Sequence, residues 1–437
     1  MNDSPSRGEA RVHARSRKVS GHTVVDLSND RLALVLAPEL GGRILSLTLD
    51  GREFLYRSTA LLDEECGARD PSLVGPHDGE MANWRNWGGD KTWPAPQGWS
   101  GPDEWAGPPD PVLDSGPYTP HIEVDPDGQW AVVTLTSADD PRTGLRLGRE
   151  IHLRAGRTDF ELRLTGTNTI DQPVRWALWN VTQLPGHPAH QEGDGVWVGL
   201  DGSGPAATQL VAGTGNPRVE HFGAHLAHVP AQDVVGKAGF PAASGWIAHA
   251  GPAGTWAHRF PVTPGVDYPD EGARAEVWLE YPLDEPLVHL GGLRPTQRIV
   301  ECEVLGPYAE LAPGETMRLD TSVLLGPHGG AVTDVGPWGW WNQAPTAEVP
   351  RSGGGGARLG GRFVPCLDSG GTLTLRIGSE DSSRPERLHR TDLAVLAGAA
   401  LDLGELSPLS GVEAGTQIDV LIGEGADAPV VGSVRCS

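Results

Sequence analysis

The chain predicts an all-β fold, a large antiparallel sandwich followed by a small second β unit. Three observations predict it: apolar and polar residues alternate from end to end, turn signals separate the alternating runs, and no stretch sustains a helical period. With 60 Gly and 38 Pro against three Met, the 437 residues suit a turn-rich β protein better than a helical one. No repeat at solenoid or propeller spacing appears, so the strands are expected to form sheets that face each other.

Taken in order, residues 1–20 carry Arg7, Arg11, Arg15, Arg17 and Lys18 with no apolar segment after them, and predict a disordered tail rather than an export signal. Residues 21–345 form the main sandwich. Leu32, Leu34 and Leu36 share one strand face, and Leu49-Asp50-Gly51 turns the chain. Leu145, Leu147, Ile151 and Leu153 alternate with Arg146, Glu150, His152 and Arg154. After Ala155-Gly156-Arg157, Phe160, Leu162 and Leu164 do the same, as do Met317, Leu319, Val323 and Leu325 beyond Pro313-Gly314-Glu315. Pro337 to Trp341 closes this region. Residues 346–361 are a Gly-rich linker, and 362–437 predict a small β-sandwich with strands at Thr372–Ile377, Ala394–Leu403 and Gln417–Ile422.

The formal charge of −23 argues against nucleic acid or an anionic membrane as partner. No apolar run is long enough to cross a bilayer. Cys66, Cys302, Cys366 and Cys436 are dispersed, which excludes a zinc ribbon or a dense disulfide framework and predicts free thiols in a reducing cytoplasm. There is no P-loop, no GxSxG elbow and no GxGxxG in a βαβ setting, so no cofactor is predicted. His221, His225 and His228, with His187 and His190 before them, have zinc-like spacing, but Pro217, Gly223 and Pro230 oppose the helix it needs. No metal is predicted.

Two stretches carry candidate chemistry. Asn83–Trp105 sets Trp84, Trp87, Trp93, Trp99 and Trp105 among Asn86, Asp90, Lys91 and Gln97, with Gly and Pro interrupting any helix or strand. Flat indole faces beside amide, ammonium and carboxylate groups suit a sugar, and the alternative is indoles plugging a sheet edge. Gln297–Leu305 places Glu301 and Glu303 on one strand face, about 6.5–7 Å apart. Repulsion between them raises one pKa, which serves a general base working near neutrality. A solvent-facing strand surface is the plainer explanation.

Leu40-Gly41-Gly42-Arg43-Ile44 with Gly51-Arg52-Glu53-Phe54, and later Val300-Glu301-Cys302-Glu303, Gly306-Pro307 and Leu311-Ala312-Pro313-Gly314-Glu315, resemble the opening hairpin and closing segment of the galactose mutarotase-like (aldose 1-epimerase) superfamily. The resemblance runs from Val24 to Gly326, and Asn86–Pro94 resembles a loop of one bacterial branch. It implies a β-supersandwich of two large antiparallel sheets with a sugar on the concave face. It also implies Glu301 as catalytic base and Glu303 as a ligand-facing neighbour. One departure stands out: Trp176–Leu184 lacks the histidine that serves mutarotases as general acid. His77 is the first choice to replace it, with Lys91 or a protonated Glu303 after it.

Arg43, Arg85, Asn86, Lys91, Trp93, Gln97, Trp99, Trp176, Asn180, Gln183 and Trp278 are the predicted sugar contacts. Glu276, Trp278 and Glu280 share a face, and Lys237 matches a loop of the branch without an assigned role. Cations at Arg43, Arg85 and Lys91 suggest an acidic sugar. Three activities follow: an aldose 1-epimerase-like isomerase, a lyase or glycoside-cleaving enzyme using the two glutamates or Tyr268 or Tyr281, and a non-catalytic carbohydrate binder. The partner in each is a small carbohydrate. The oligomeric state is not predicted.

Overall fold

The computed structural model describes residues 11–98, 105–188, 193–350, 356–369, 371–378, 387–423 and 427–437. Two large antiparallel sheets dominate it. The first begins with a meander, His13–Val19, His22–Ser28, Leu32–Ala37 and Arg43–Leu49. It continues through Asp90–Ala95, Val174–Pro185, Ile299–Leu305, Ala275–Glu280, Gly236–Phe240 and Thr208–Ala212. The second sheet is centred on Gly254–Arg259, Thr316–Gly326, Asp159–Asn168 and Leu145–Arg154. Its strands show the expected alternation, with Leu145, Leu147, Ile151 and Leu153 all fully buried. These side chains meet Val25, Leu34, Leu47, Ala177 and Cys302 of the first sheet in one continuous core.

Two segments depart from expectation. His13–Val19, predicted as part of a disordered tail, is an edge strand paired along its length with His22–Ser28. Arg17 Nε lies 2.8 Å from Asp26 on the neighbouring strand. Asp90–Ala95, predicted to be interrupted by Gly and Pro, is a fully buried strand. Pro94 fits because residues on both sides still pair with Val174–Pro185.

The two sheets are also tied by a buried polar layer. Asp90 forms an ion pair with Arg149 of the second sheet, and Arg149 donates to the Asp90 carbonyl at 2.9 Å. Asn180 and Thr182 donate to Asp90 Oδ2 at 2.7 and 2.6 Å, and Thr92 donates to Asn180 Oδ1 at 2.9 Å. Burying such groups is tolerable because each finds a partner.

Beyond Asp334 the described residues form two four-stranded sheets around Trp341, Phe363, Leu375 and Val420. The strand Gly339–Glu348 pairs with Arg358–Pro365, so the boundary expected at 345 falls inside a strand. This part is joined to the sandwich by Trp340 and Val364, which cluster with Ala248 and Leu324. The approach is close: a Cβ on Gly326 would lie 2.2 Å from the Trp340 ring. All four cysteines are buried and unpaired.

Candidate active site

Five neighbouring strands of the first sheet build the floor of a cleft. Residues directly opposite each other in a sheet point to the same face, so strand register assigns the floor. One row runs Lys91, Val181, Glu303, Glu276 and Gly239 across the five strands. The next row, two residues along, runs Gln183, Glu301, Trp278 and Lys237. A third holds Trp93, Trp179 and Leu305. Loops raise the walls, with Trp84 and Glu80 on one side and Asp270, Glu271 and Leu290 among the others. The cleft, open to solvent on one side, has a volume of about 810 Å³, within the range of small-molecule sites. None of the lining lies on a strand of the second sheet.

Two charge clusters sit on this floor. Lys91 is 1% exposed, and its Nζ lies 3.6 Å from Glu301 Oε1. It stands 4.6 Å from the centre of the Trp93 ring and 5.2 Å from that of Trp84, an indole setting that favours a cation. Burial pushes its pKa down, and the Glu301 charge opposes the shift. Burial pushes the Glu301 carboxyl up, Lys91 and the Gln183 N–H oppose this, and repulsion from Glu303 adds to it. In the second cluster Lys237 Nζ lies 2.8 Å from both Glu276 Oε2 and Glu303 Oε2, and the Trp179 N–H donates to Glu303 Oε2 at 2.7 Å. Burial disfavours the Lys237 charge, but the two carboxylates outweigh it and raise the pKa.

Glu280 completes the floor. It accepts from the Trp278 N–H at 2.9 Å and lines the cleft with Glu301. Burial, reinforced by the Glu301 charge, pushes its carboxyl up to about 7. Glu280 is opposite Ile299 and therefore diagonal to Glu301, a separation of roughly 7–8 Å between backbone positions. Five buried polar atoms of the floor have no hydrogen-bond partner among the described residues: Lys91 Nζ, Trp93 Nε1, Gln183 Oε1, Glu276 Oε1 and Glu303 Oε1. Such orphans are rare in a finished interior and concentrate where a ligand completes the bonding.

The model of a protein family, Domain of unknown function (DUF4380), matches residues 23–323. The chain belongs to this family. The matched span contains every floor residue named above, so in this DUF4380 protein the cleft lies within the family region. No curated protein matches the chain. Among solved structures it is similar to a TPR-domain containing protein from Parabacteroides distasonis, at 17% identity and a TM-score of 0.48, covering 70% of this chain and 47% of that one. The chain thus spans less than half of that relative's length. A galactose mutarotase-like protein from Lactobacillus casei matches at 11% identity and a TM-score of 0.43, covering 69% and 99% of the two chains. A candidate mutarotase from Salmonella typhimurium matches at 13% and 0.43, covering 71% and 92%. Similarity this low says nothing of activity.

Of the residues singled out in the DUF4380 sequence, Glu301, Trp93, Trp278 and Gln97 line the cleft, and Glu303, Lys91 and Gln183 share that sheet face beside them without lining it. Others lie elsewhere. Asn180 faces the second sheet, in the Asp90 layer, and Trp176 shares that face with its N–H on the Thr143 carbonyl. Arg43 is fully buried, bonded to Asp114 and to the carbonyls of Leu40, Gly88 and Asp114. Arg85 donates to the Leu73 carbonyl, and Asn86 accepts from Gly88 N–H. Expected sugar contacts at Asn180, Trp176, Arg43 and Arg85 are therefore corrected: their polar groups are bonded within the protein, away from the lining.

His77 is also corrected as a candidate acid. Its Nε2 bonds the Asn83 carbonyl at 2.9 Å, its backbone N–H bonds Ser115, and it is absent from the lining. Trp99 lies outside the described residues. Tyr268 accepts from Thr263 N–H beside a separate hollow, and Tyr281 lies under Arg298. No group of three His, Cys, Asp or Glu is arranged to hold a metal among the described residues. Sequence reasoning missed Glu280 and Lys237 as working groups. The signal for Glu280 was present in the alternation Glu276, Trp278, Glu280, whereas Lys237 needed the sheet order.

Proposed function

We propose that the cleft binds a carbohydrate and interconverts its anomers by acid–base ring opening, with Glu301 as general base and Glu280 as general acid. The observation that carries this reading is the pair of carboxyls on one indole-lined floor whose surroundings differ. Glu301 has Lys91 beside it, which favours the carboxylate. Glu280 has no ion-pair partner, and burial and the Glu301 charge, which favour the acid, outweigh the more distant Lys91. Neighbouring environments that push two carboxyls apart assign the base and the acid.

In this reading the sugar ring lies against Trp93, Trp179 and Trp278. Glu301 takes the proton of the anomeric hydroxyl, whose electron pair forms the carbonyl as the bond from C1 to the ring oxygen breaks. The electron pair of the breaking C1–O bond goes to the ring oxygen, which takes the Glu280 proton. Rotation about C1–C2 followed by the reverse transfers closes the other anomer and restores both groups. Glu303, already holding Lys237 and the Trp179 N–H through one oxygen, offers its free oxygen to a sugar hydroxyl. The indoles supply area and exclude water.

Polarimetry of freshly dissolved aldoses tests this. Wild type is expected to speed anomer exchange, and Glu301→Gln to abolish it while sugar still quenches Trp fluorescence. Full exchange activity in the variant removes Glu301 from the mechanism.

A further inference from the structure

The charge of the cleft says what kind of sugar it accepts. Its described lining carries six carboxyl groups, at Asp78, Glu80, Asp270, Glu271, Glu280 and Glu301, and two cations, Arg142 and Lys237. Both cations are already committed. Arg142 lies 2.6 Å from Asp110, and Lys237 is bridged between Glu276 and Glu303. Lys91, the remaining nearby cation, is spent on Glu301. The arginines expected to hold an acidic sugar, Arg43 and Arg85, are bonded elsewhere. By contrast the side chains of Glu80, Asp270 and Glu271 make no hydrogen bond or ion pair among the described residues.

A second, independent observation points to a ligand in the same cleft. Trp93 lines the cleft and is 3% exposed, yet its indole N–H has no partner among the described residues. A buried donor of this kind is completed by a hydroxyl oxygen. Polyol contact at the floor and unpaired carboxylates on the wall together define a ligand that is hydroxyl-rich and positively charged at one edge. A carboxylate or phosphate brought into the same space would meet like charge with no free cation to receive it.

We propose that the cleft selects an amino sugar, its ammonium group held at the Asp270–Glu271 wall, and rejects uronates and sugar phosphates. The selection rests on the carbohydrate reading above.

Quenching of Trp fluorescence, measured below neutrality so that the amine is protonated, compares galactosamine and glucosamine with galactose, glucose, galacturonate and galactose 6-phosphate. Amino sugars are expected to bind about tenfold more tightly than their neutral parents. Added salt narrows that gap, and the two anionic sugars do not bind. In the double variant Asp270→Asn, Glu271→Gln the preference disappears while neutral sugars bind as before. Anionic sugars binding as well as neutral ones, or an amino-sugar preference that survives in the variant, overturns the selection and leaves the carbohydrate reading intact. If no sugar of any charge quenches the indoles, both readings fall together.

Discussion

Lys91 Nζ stands 3.6 Å from Glu301 Oε1, in a side chain 1% exposed that has no hydrogen-bond partner among the described residues. The lysine is thus placed to set the charge of one carboxylate. Replacing it with methionine keeps much of the volume and removes the cation. The Glu301 carboxyl, already pushed up by burial, then rises further. The acidic limb of the kcat/KM profile is expected to move to higher pH in Lys91→Met. An unmoved limb means that Lys91 does not tune the base.

Glu280→Gln removes the proposed acid, and anomer exchange is expected to fall by about 10²–10⁴-fold with loss of the alkaline limb. Stability gives a separate readout. The Glu280 pKa is about 7 in the fold against 4.5 for an ordinary glutamate carboxyl, so between these values the folded state binds more protons than the unfolded one. Wild-type stability therefore falls as pH rises through that window. The glutamine variant lacks this contribution, and its melting temperature should gain on wild type from pH 4.5 to 7 and not beyond. A constant difference would contradict the shift.

Asp114 connects the buried Arg43 to the cleft wall, accepting from Arg43 at 2.7 Å and from the Trp84 N–H at 2.9 Å. Asp114→Asn leaves the Arg43 guanidinium buried without its counter-charge. A loss of about 3–5 kcal/mol is expected, measurable as a lower urea midpoint at unchanged slope. A loss below 1 kcal/mol would show that the surrounding carbonyls alone satisfy Arg43.

Asp270 and Glu271 occupy left-handed backbone conformations, at φ 51° and 60°, which L-residues with side chains adopt at a cost. Glu271→Gly should therefore stabilise the protein by about 0.5–1 kcal/mol, after allowing for the looser unfolded chain. It should also weaken discrimination in favour of amino sugars. Higher thermal stability with unaltered discrimination would separate the strained turn from the ligand.

The strands easiest to read in the sequence were those with one buried face. Leu145, Leu147, Ile151 and Leu153 alternate with charges because only one side of their strand meets the core, and the structure follows that pattern. On Val174–Pro185 the signal fails. Nine consecutive residues are buried, so nothing local says that Gln183 faces the cleft while Asn180 faces the other sheet. Glu301 and Glu303 were legible as a pair because a two-residue spacing fixes a shared face. Their partners were not: Lys91, Gln183, Glu276 and Lys237 reach them through sheet order, which brings Lys91 and Glu301, 210 positions apart, into an ion pair that no local pattern encodes. His77 misled because it precedes the indole-rich loop, yet a turn can spend a histidine on its own backbone, as the bond to Asn83 does.

The strand Asp90–Ala95 serves two masters by turns. Asp90 and Thr92 look toward the second sheet, while Lys91 and Trp93 look into the cleft. Deleting or inserting one residue here would exchange the two sets at once. The anion gripping Arg149 would arrive beside Glu301, and the lysine would be thrust against a guanidinium. The segment should therefore accept changes of letter far more readily than changes of length, and homologous chains that keep this chemistry should vary around it in their loops without adding or losing a single position within it.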